Sequence, residues 1–320
     1  MKDVSYGGFL PIELSPRLNS IDFFIKRGIA LNSARSALKL LVLSDKSISR
    51  IYIPAFACQS IIETIKSCGI DFITYHLDDD FQPINLELRQ NDKLLYINYF
   101  GINDRCISVL AEKYPAKSLI IDNSQALFSE PIESIYATLY SPRKFIGIAD
   151  GGYLSTEVEL LALSYNSDDY DISHLLERRW GDREKAYKMF AVHEDDFSCQ
   201  SISNISNASH DVLMACDLNY IKERRINNFR RLASTLNSCL DSDLTCSVPL
   251  TFPFICDKAD NIKRHLVNKK IFTPTYWSEC LNFSLNSFES FLINSLIHLP
   301  IDQRYNENDM SYISDVVSSL

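Results

Sequence analysis

The feature that most constrains this 320-residue chain is the alternation, in its first half, of short apolar runs with segments of helical spacing. Ala34 to Leu43 (ARSALKLLVL) repeats its apolar residues at helical intervals, and Ser33 stands where a helix cap belongs. Ile51-Tyr52-Ile53 reads as a buried strand ending at Pro54. Ser60 to Cys68 reads as a helix closed by Gly69, and Asp71 to His76 as a second strand. A third strand runs from Leu94 to Tyr99 and stops at Gly101. A helix over Cys106 to Lys113 and a fourth strand over Ser118 to Ile121, ending at Asp122, follow. Ile135 to Tyr140 and Gly152 to Ser155 add two more strands. Apolar strands separated by helices predict an α/β domain with a mostly parallel central sheet flanked by helices. Such sheets bind ligands beyond the carboxyl ends of their strands, and Asn98, Asp122 and Ser141 all fall there.

The second half is organised differently. Residues 165–200 are polar, with DDYD and HEDD, and are expected to form an irregular excursion on the substrate side. Asp211 to Leu240 has a long helical pattern whose basic stretch, KERRINNFRR, reads as a solvated face of a domain connector. From about residue 245 a smaller α+β unit is expected, with strands near VPLTFPFI and a last helix from about Glu307. The expected division is therefore 1–215, an N-terminal arm and large α/β domain, and 216–320, a connecting helix and small domain.

Composition narrows the function. With 32 basic and 41 acidic residues the net charge is −9, which argues against nucleic-acid binding because phosphate neutralisation needs a basic face. A few local donors can still hold one phosphate. The nine cysteines show neither a CxxC pair nor zinc-ligand spacing, and are expected to be free thiols in a reducing cytoplasm. No apolar run is long enough to suggest a signal segment or a membrane span.

The residues that carry chemistry are concentrated in IIDNSQAL (120–127) and YSPRKFIGIADGGYL (140–154). A buried-strand Asp, a Ser-x-x-Lys about twenty residues later and a Gly-Gly turn meet the needs of a pyridoxal-phosphate (PLP) site. The aldehyde needs a lysine amine that can be neutral near pH 7, which burial and nearby cations favour. The pyridine nitrogen needs a carboxylate to stay protonated. The phosphate needs a hydroxyl and the N–H groups of a helix start. Plainer readings stand beside these. Lys144 is also what a surface turn would carry, Asp122 could cap the next helix, Gln125 could be an ordinary interior amide, and Gly151-Gly152 could merely permit a turn. Arg35 fits a phosphate ligand, a substrate clamp or a surface charge equally well.

These segments, in this order, resemble the DegT/DnrJ/EryC1/StrS aminotransferases. The resemblance extends over LNSARSAL (31–38), IYIPAFACQSIIETI (51–65), LYINYFG (95–101), TPTYW (273–277) and HLPIDQRYNENDM (298–310). It implies an aspartate-aminotransferase-like fold, PLP as cofactor, a homodimer, and amino transfer, with glutamate as donor, to a nucleotide-linked keto-sugar in surface-glycan or deoxyamino-sugar biosynthesis. It implies that Lys144 carries the cofactor as an imine and shuttles the proton, that Asp122 pairs with the pyridine N–H, and that Gln125 bonds the phenolic oxygen. Ser141 would hold the phosphate together with Ser33, Ala34 and Arg35 at the helix start, and Asn98 would face the cofactor.

The chain departs from the family pattern in four places. Its serine stands three residues before the lysine instead of five, Ala34 replaces a glycine, and Cys58 occupies the position that usually supplies a ring stacked on the cofactor. No Asn-containing partner loop matches SISNISNASHD (201–211). Two rival readings remain: a sugar dehydratase, whose relatives carry His where Lys144 stands, and a binding protein that keeps the fold without turnover.

Overall fold

In the computed structural model, residues 6–7, 20–162, 170–198, 201–236, 239–240, 244, 247–282 and 284–319 are described. The chain begins with β1 (Tyr6–Gly7), α1 (Ile21–Ile25), β2 (Ile29–Leu31) and α2 (Ala34–Ser44). Then come β3 (Arg50–Pro54), α3 (Gln59–Ser67), β4 (Asp71–Tyr75), β5 (Asp92–Ile97), α4 (Asp104–Lys113), β6 (Leu119–Asn123), β7 (Ala137–Tyr140) and β8 (Gly152–Thr156). Seven strands form one sheet in the order β4-β3-β5-β6-β7-β8-β2. The five from β4 to β7 run parallel, β8 is antiparallel to β7, and β2 is antiparallel to β8. Every residue of β5, β6 and β7 is buried. A parallel sheet covered on both faces requires that, and it explains the unbroken apolar runs in the sequence. The expected α/β class and mostly parallel sheet are borne out. Helix α2 starts where expected, with the Ser33 hydroxyl accepting from the Ser36 amide at 3.0 Å.

Three expectations for the second half need correction. Within 165–200 the chain is largely helical: α5 (Ser173–Trp180) and α6 (Arg183–Ser198) form a hairpin, residues 163–169 and 199–200 lying outside the described set. The long helix expected over 211–240 is two helices, α7 (Asn207–Ala215) and α8 (Leu218–Ala233). They part at Cys216, which is extended, and Asp217 caps the second by accepting from the Tyr220 amide at 3.0 Å. Nor is KERRINNFRR a solvated face throughout. Arg225, Asn228 and Phe229 are buried, with Ile221 and Leu232 on the same side.

The C-terminal part adds β9 (Phe252–Ile255), α9 (Ala259–Asn268), β10 (Ile271–Phe272), α10 (Ser287–Asn294), β11 (Leu296–Leu299) and α11 (Glu307–Ser318). β9 and β11 pair antiparallel, and β10 pairs with β1 from the opposite end of the chain. The last helix starts at Glu307 as expected, closed by a capping box between Asn306 and Asp309.

Candidate active site

β6 sets one flank of the site. Its register pairs Asp122 with Ile97 of β5 and with Leu139 of β7. Because side chains alternate across a strand, Asp122 and Ser141 share one face of the sheet, while Asn98 and Asn123 share the other. The hydrogen bonds agree. Asn98 Nδ2 donates to Asn123 Oδ1 at 3.0 Å, Asp104 Oδ1 at 2.7 Å and Ser129 Oγ at 3.2 Å. The structure thus separates Asn98 from Asp122 and ties it into the corner between β5 and α4.

Asp122 Oδ1 accepts from the Ser124 amide at 2.8 Å, and Oδ2 has no hydrogen-bond partner among the described residues. Gln125 is buried. Its Oε1 accepts from the Phe100 amide at 2.9 Å, and its Nε2 is a buried donor without a partner. Phe100 presents that amide from a left-handed conformation (φ 59°), which a non-glycine residue holds only when its surroundings compel it. A fixed carboxylate oxygen and a buried, unsatisfied amide donor three residues apart form an unusual polar flank. Leaving such a donor unmet costs about 1–3 kcal/mol, so the arrangement suits a ligand that offers an acceptor there and a donor to Asp122.

The second flank is the turn from β7 to β8. Ser141 is half-buried and extended directly after β7, and Lys144 lies on the short 3-10 turn Pro142–Lys144. The chain by itself leaves Lys144 exposed. Of the two influences expected on its amine, burial is therefore not supplied by this chain alone, whereas a cation, Arg143, stands beside it in sequence.

The turn ends against the start of α2. Gly151 has φ +137°, and its N–H donates to Asn32 O at 2.6 Å. A Cβ on Gly152 would lie 2.1 Å from the Ser33 carbonyl carbon and 2.3 Å from the Ala34 nitrogen. Gly-Gly is therefore both a turn and a close approach: no larger residue lets β8 lie against the first turn of α2. Extending the β7–β8 ladder from its Tyr140–Tyr153 pair puts Ser141 across from Gly152, hence beside Ser33 and Ala34. Since Ser33 Oγ already serves the Ser36 amide, the Ala34 and Arg35 backbone remains as the positive end of the helix. Arg35 is half-buried on that turn.

Cys58 occupies the N-cap position of α3 without a side-chain capping bond, half-buried, its Sγ 3.0 Å from Ser60 Oγ. Phe56 does not substitute for a ring at that place. It is fully buried, stacked 5.7 Å from Tyr99 and edge-on to Trp277 at 4.7 Å.

Several side chains that sequence reasoning missed hold the Lys144 turn. Arg143 is ion-paired with Glu194 of α6, and His193 Nε2 donates to Ala149 O at 2.8 Å. Asp150 accepts from the Ser206 amide at 2.7 Å and from its hydroxyl at 2.5 Å. Burial raises the Asp150 carboxyl above its ordinary value, against the hydrogen bonds from Ser206. From the C-terminal part, Gln303 Nε2 donates to Phe145 O at 2.7 Å. A surface cavity of about 640 Å³, lined by Lys26, Glu130, Thr138 and Glu157 among others, touches none of these residues.

No family model and no curated protein matches the chain. Solved structures do. The putative sugar aminotransferase Spr1654 from Streptococcus pneumoniae, in its PMP form, is 15% identical with a TM-score of 0.65, over 98% of this chain and 91% of that one. Helicobacter pylori PseC, an aminotransferase involved in the biosynthesis of pseudoaminic acid, is 14% identical with a TM-score of 0.65, over 99% of each chain. DesV of S. venezuelae, solved with a ketimine intermediate, is 16% identical with a TM-score of 0.64, over 98% of this chain and 90% of that one. The chain shares the fold of these structures. The similarity spans almost the whole length of the chain.

Proposed function

We propose that the chain is a PLP-dependent aminotransferase of the DegT/DnrJ/EryC1/StrS type. The observation that carries this reading is the flank of Asp122 and Gln125: one free carboxylate oxygen and one buried amide donor without a partner, on the same rim as Lys144 and the start of α2. Those donors and acceptors fit PLP. Asp122 Oδ2 would hold the pyridine N–H, Gln125 Nε2 the phenolic oxygen, and Ser141 with Ser33, Ala34 and Arg35 the phosphate. Bound there, PLP supplies an electron sink for a carbanion at the substrate carbon. Lys144 would hold the cofactor and, when free of it, would move the proton at that carbon. Cys58 offers a thiol where a ring would otherwise cover the cofactor. The exposure of Lys144 in the single chain supports a homodimer whose second subunit closes the site.

The donor in this reading is glutamate and the acceptor a nucleotide-linked keto-sugar, used in the cytoplasm for surface-glycan or deoxyamino-sugar synthesis. The solved neighbours described as sugar aminotransferases support the sugar, and a lysine at position 144 favours amino transfer over dehydration. The free thiols among the described residues fit a reducing compartment. No described helix is long and apolar enough to cross a membrane. The division at 215/216, in the break between α7 and α8, is proposed as the boundary between the large and small domains.

The test is the absorbance of the PLP-loaded protein before and after glutamate. Loss of the near-visible band of lysine-bound PLP, a gain of the pyridoxamine-phosphate band and one 2-oxoglutarate per site are expected. An unchanged spectrum with every donor tried would favour the non-catalytic reading. A deoxy-keto product from a panel of 3-keto and 4-keto sugar nucleotides would favour dehydration.

A further inference from the structure

Arg225 lies in the interior of α8, 1% exposed, and reaches both flanks of the site. Its Nε donates to Gln303 Oε1 at 3.2 Å, and Gln303 Nε2 donates onward to Phe145 O at 2.7 Å, the carbonyl of the residue that follows Lys144. The guanidinium also lies 4.6 Å over the Phe145 ring. Its Nη1 donates to Leu250 O at 3.0 Å. The Leu250 amide donates to Phe100 O at 2.8 Å, and the Phe100 amide holds Gln125 Oε1 at 2.9 Å. One buried side chain thus stands at the junction of two hydrogen-bonded lines, one ending at the Lys144 turn and the other at Gln125. Both lines run through residues of the C-terminal part, Leu250 and Gln303.

We infer that Arg225 and Gln303 are positioning residues that set Lys144 against the Asp122–Gln125 flank. The inference rests on the reading of Lys144 as the cofactor lysine. A planar guanidinium can serve two lines at a fixed angle and stack on a ring, which a lysine cannot. Gln303 is the matching relay, because its amide accepts from Arg225 with one atom and donates to Phe145 O with the other. The Lys144 turn lies outside the strand ladder and is closed by short local bonds, the Phe145 and Ile146 amides donating to Pro142 O at 2.8 and 2.9 Å. A neighbouring carbonyl pinned from behind therefore sets where the turn, and with it the amine, can reach. A shift of about 1 Å at such a position is worth up to about a hundredfold in a reaction that needs two groups aligned.

The experiment uses the full chain and the variants Gln303→Met, near in shape but lacking both bonds, and Arg225→Lys. In cofactor-free Gln303→Met, amide exchange over residues 142–146 should rise at least about tenfold while that of β5 and β6 stays as in the parent. With PLP added, imine formation on Lys144, trapped with borohydride and located by mass spectrometry, should slow by roughly tenfold to a hundredfold. PLP affinity should change less than about threefold, since the phosphate contacts are untouched. Arg225→Lys should show the same split. Equal losses in affinity and trapping rate, or an overall fall in stability with unchanged local exchange, would reduce these residues to ordinary packing. Trapping at a lysine other than Lys144 in the parent protein would instead overturn the cofactor reading, a separate outcome.

Discussion

Asp122 and Lys144 stand at the ends of neighbouring strands, yet the chain holds them by opposite means. Asp122 is 8% exposed and Gln125 1%, both fixed by the strand they extend and by the amides within three residues or across one strand. Lys144 is exposed, and its turn is pinned by Gln303, by Glu194 and His193 of the α5–α6 hairpin, and by Ser206. The sheet and its nearest amides build one flank; on the other, three remote segments are added to the turn's own backbone bonds. Groups that only need to be polarised in place can sit in a buried sheet. In the proposed function Lys144 changes partners during a reaction cycle, and an exposed turn held partly from outside suits that role.

The comparison is broken most directly at the exposed flank. Lys144→Ala is expected to remove the near-visible band and lower turnover by on the order of 10³-fold or more, since both the imine and the proton-transfer group are lost. Because the side chain is exposed, the melting temperature should stay within a few degrees of the parent. A variant that still forms a borohydride-reducible imine would move the lysine elsewhere.

At the buried flank, Asp122→Asn should keep the band and lose turnover by roughly 10²-fold, as expected when one preorganised electrostatic partner is removed. An amide accepts from the Ser124 amide as the carboxylate does, so the fold tolerates the change, but it no longer stabilises a protonated ring nitrogen. Turnover close to the parent with the same donor would separate Asp122 from the chemistry.

The same contrast explains what could be read in advance. The strands, the Ser33 cap, the end of β6 and the Gly-Gly turn were legible because each is encoded within a few residues. The face of Asn98 was not taken from the sequence, although parity held the answer once β5 and β6 were aligned: a shift of one residue moves a side chain to the other side of the sheet. The clamps on Lys144 were hidden because their partners lie between 44 and 158 positions away. Arg225 did leave a signal. It sits four residues from both Ile221 and Phe229, so KERRINNFRR carries a cation on the apolar stripe of its helix, and a buried role follows from that spacing. Residues 165–200 hid their helices because a polar hairpin with a shallow apolar face resembles a loop in composition.

The hairpin flank should also be the one that acid loosens first. His174 of α5 is buried and stacked 4.4 Å from His193, the residue that holds Ala149 O. Burial, with smaller contributions from the charges of His193 and Arg143, lowers its pKa from 6.5 to about 4, and Asp171 opposes this only in part. A histidine whose folded pKa lies below its unfolded one contributes stability that is complete above about pH 6.5. That stability is lost as pH falls toward 4, because the unfolded state takes up the proton first. Between pH 7 and pH 5 the loss from this group is on the order of 2 kcal/mol. Urea unfolding at the two pH values should show at least that loss in the parent, and His174→Gln, which cannot be protonated, should reduce it by about 2 kcal/mol, while buried His298, lowered to about 3, keeps its own share. Amide exchange should rise over 173–195 at pH 5 before it rises in β5, β6 or β7. An equal acid slope in parent and variant would mean that His174 does not control the flank, whereas a simultaneous rise in hairpin and sheet would mean that the two flanks open as one unit.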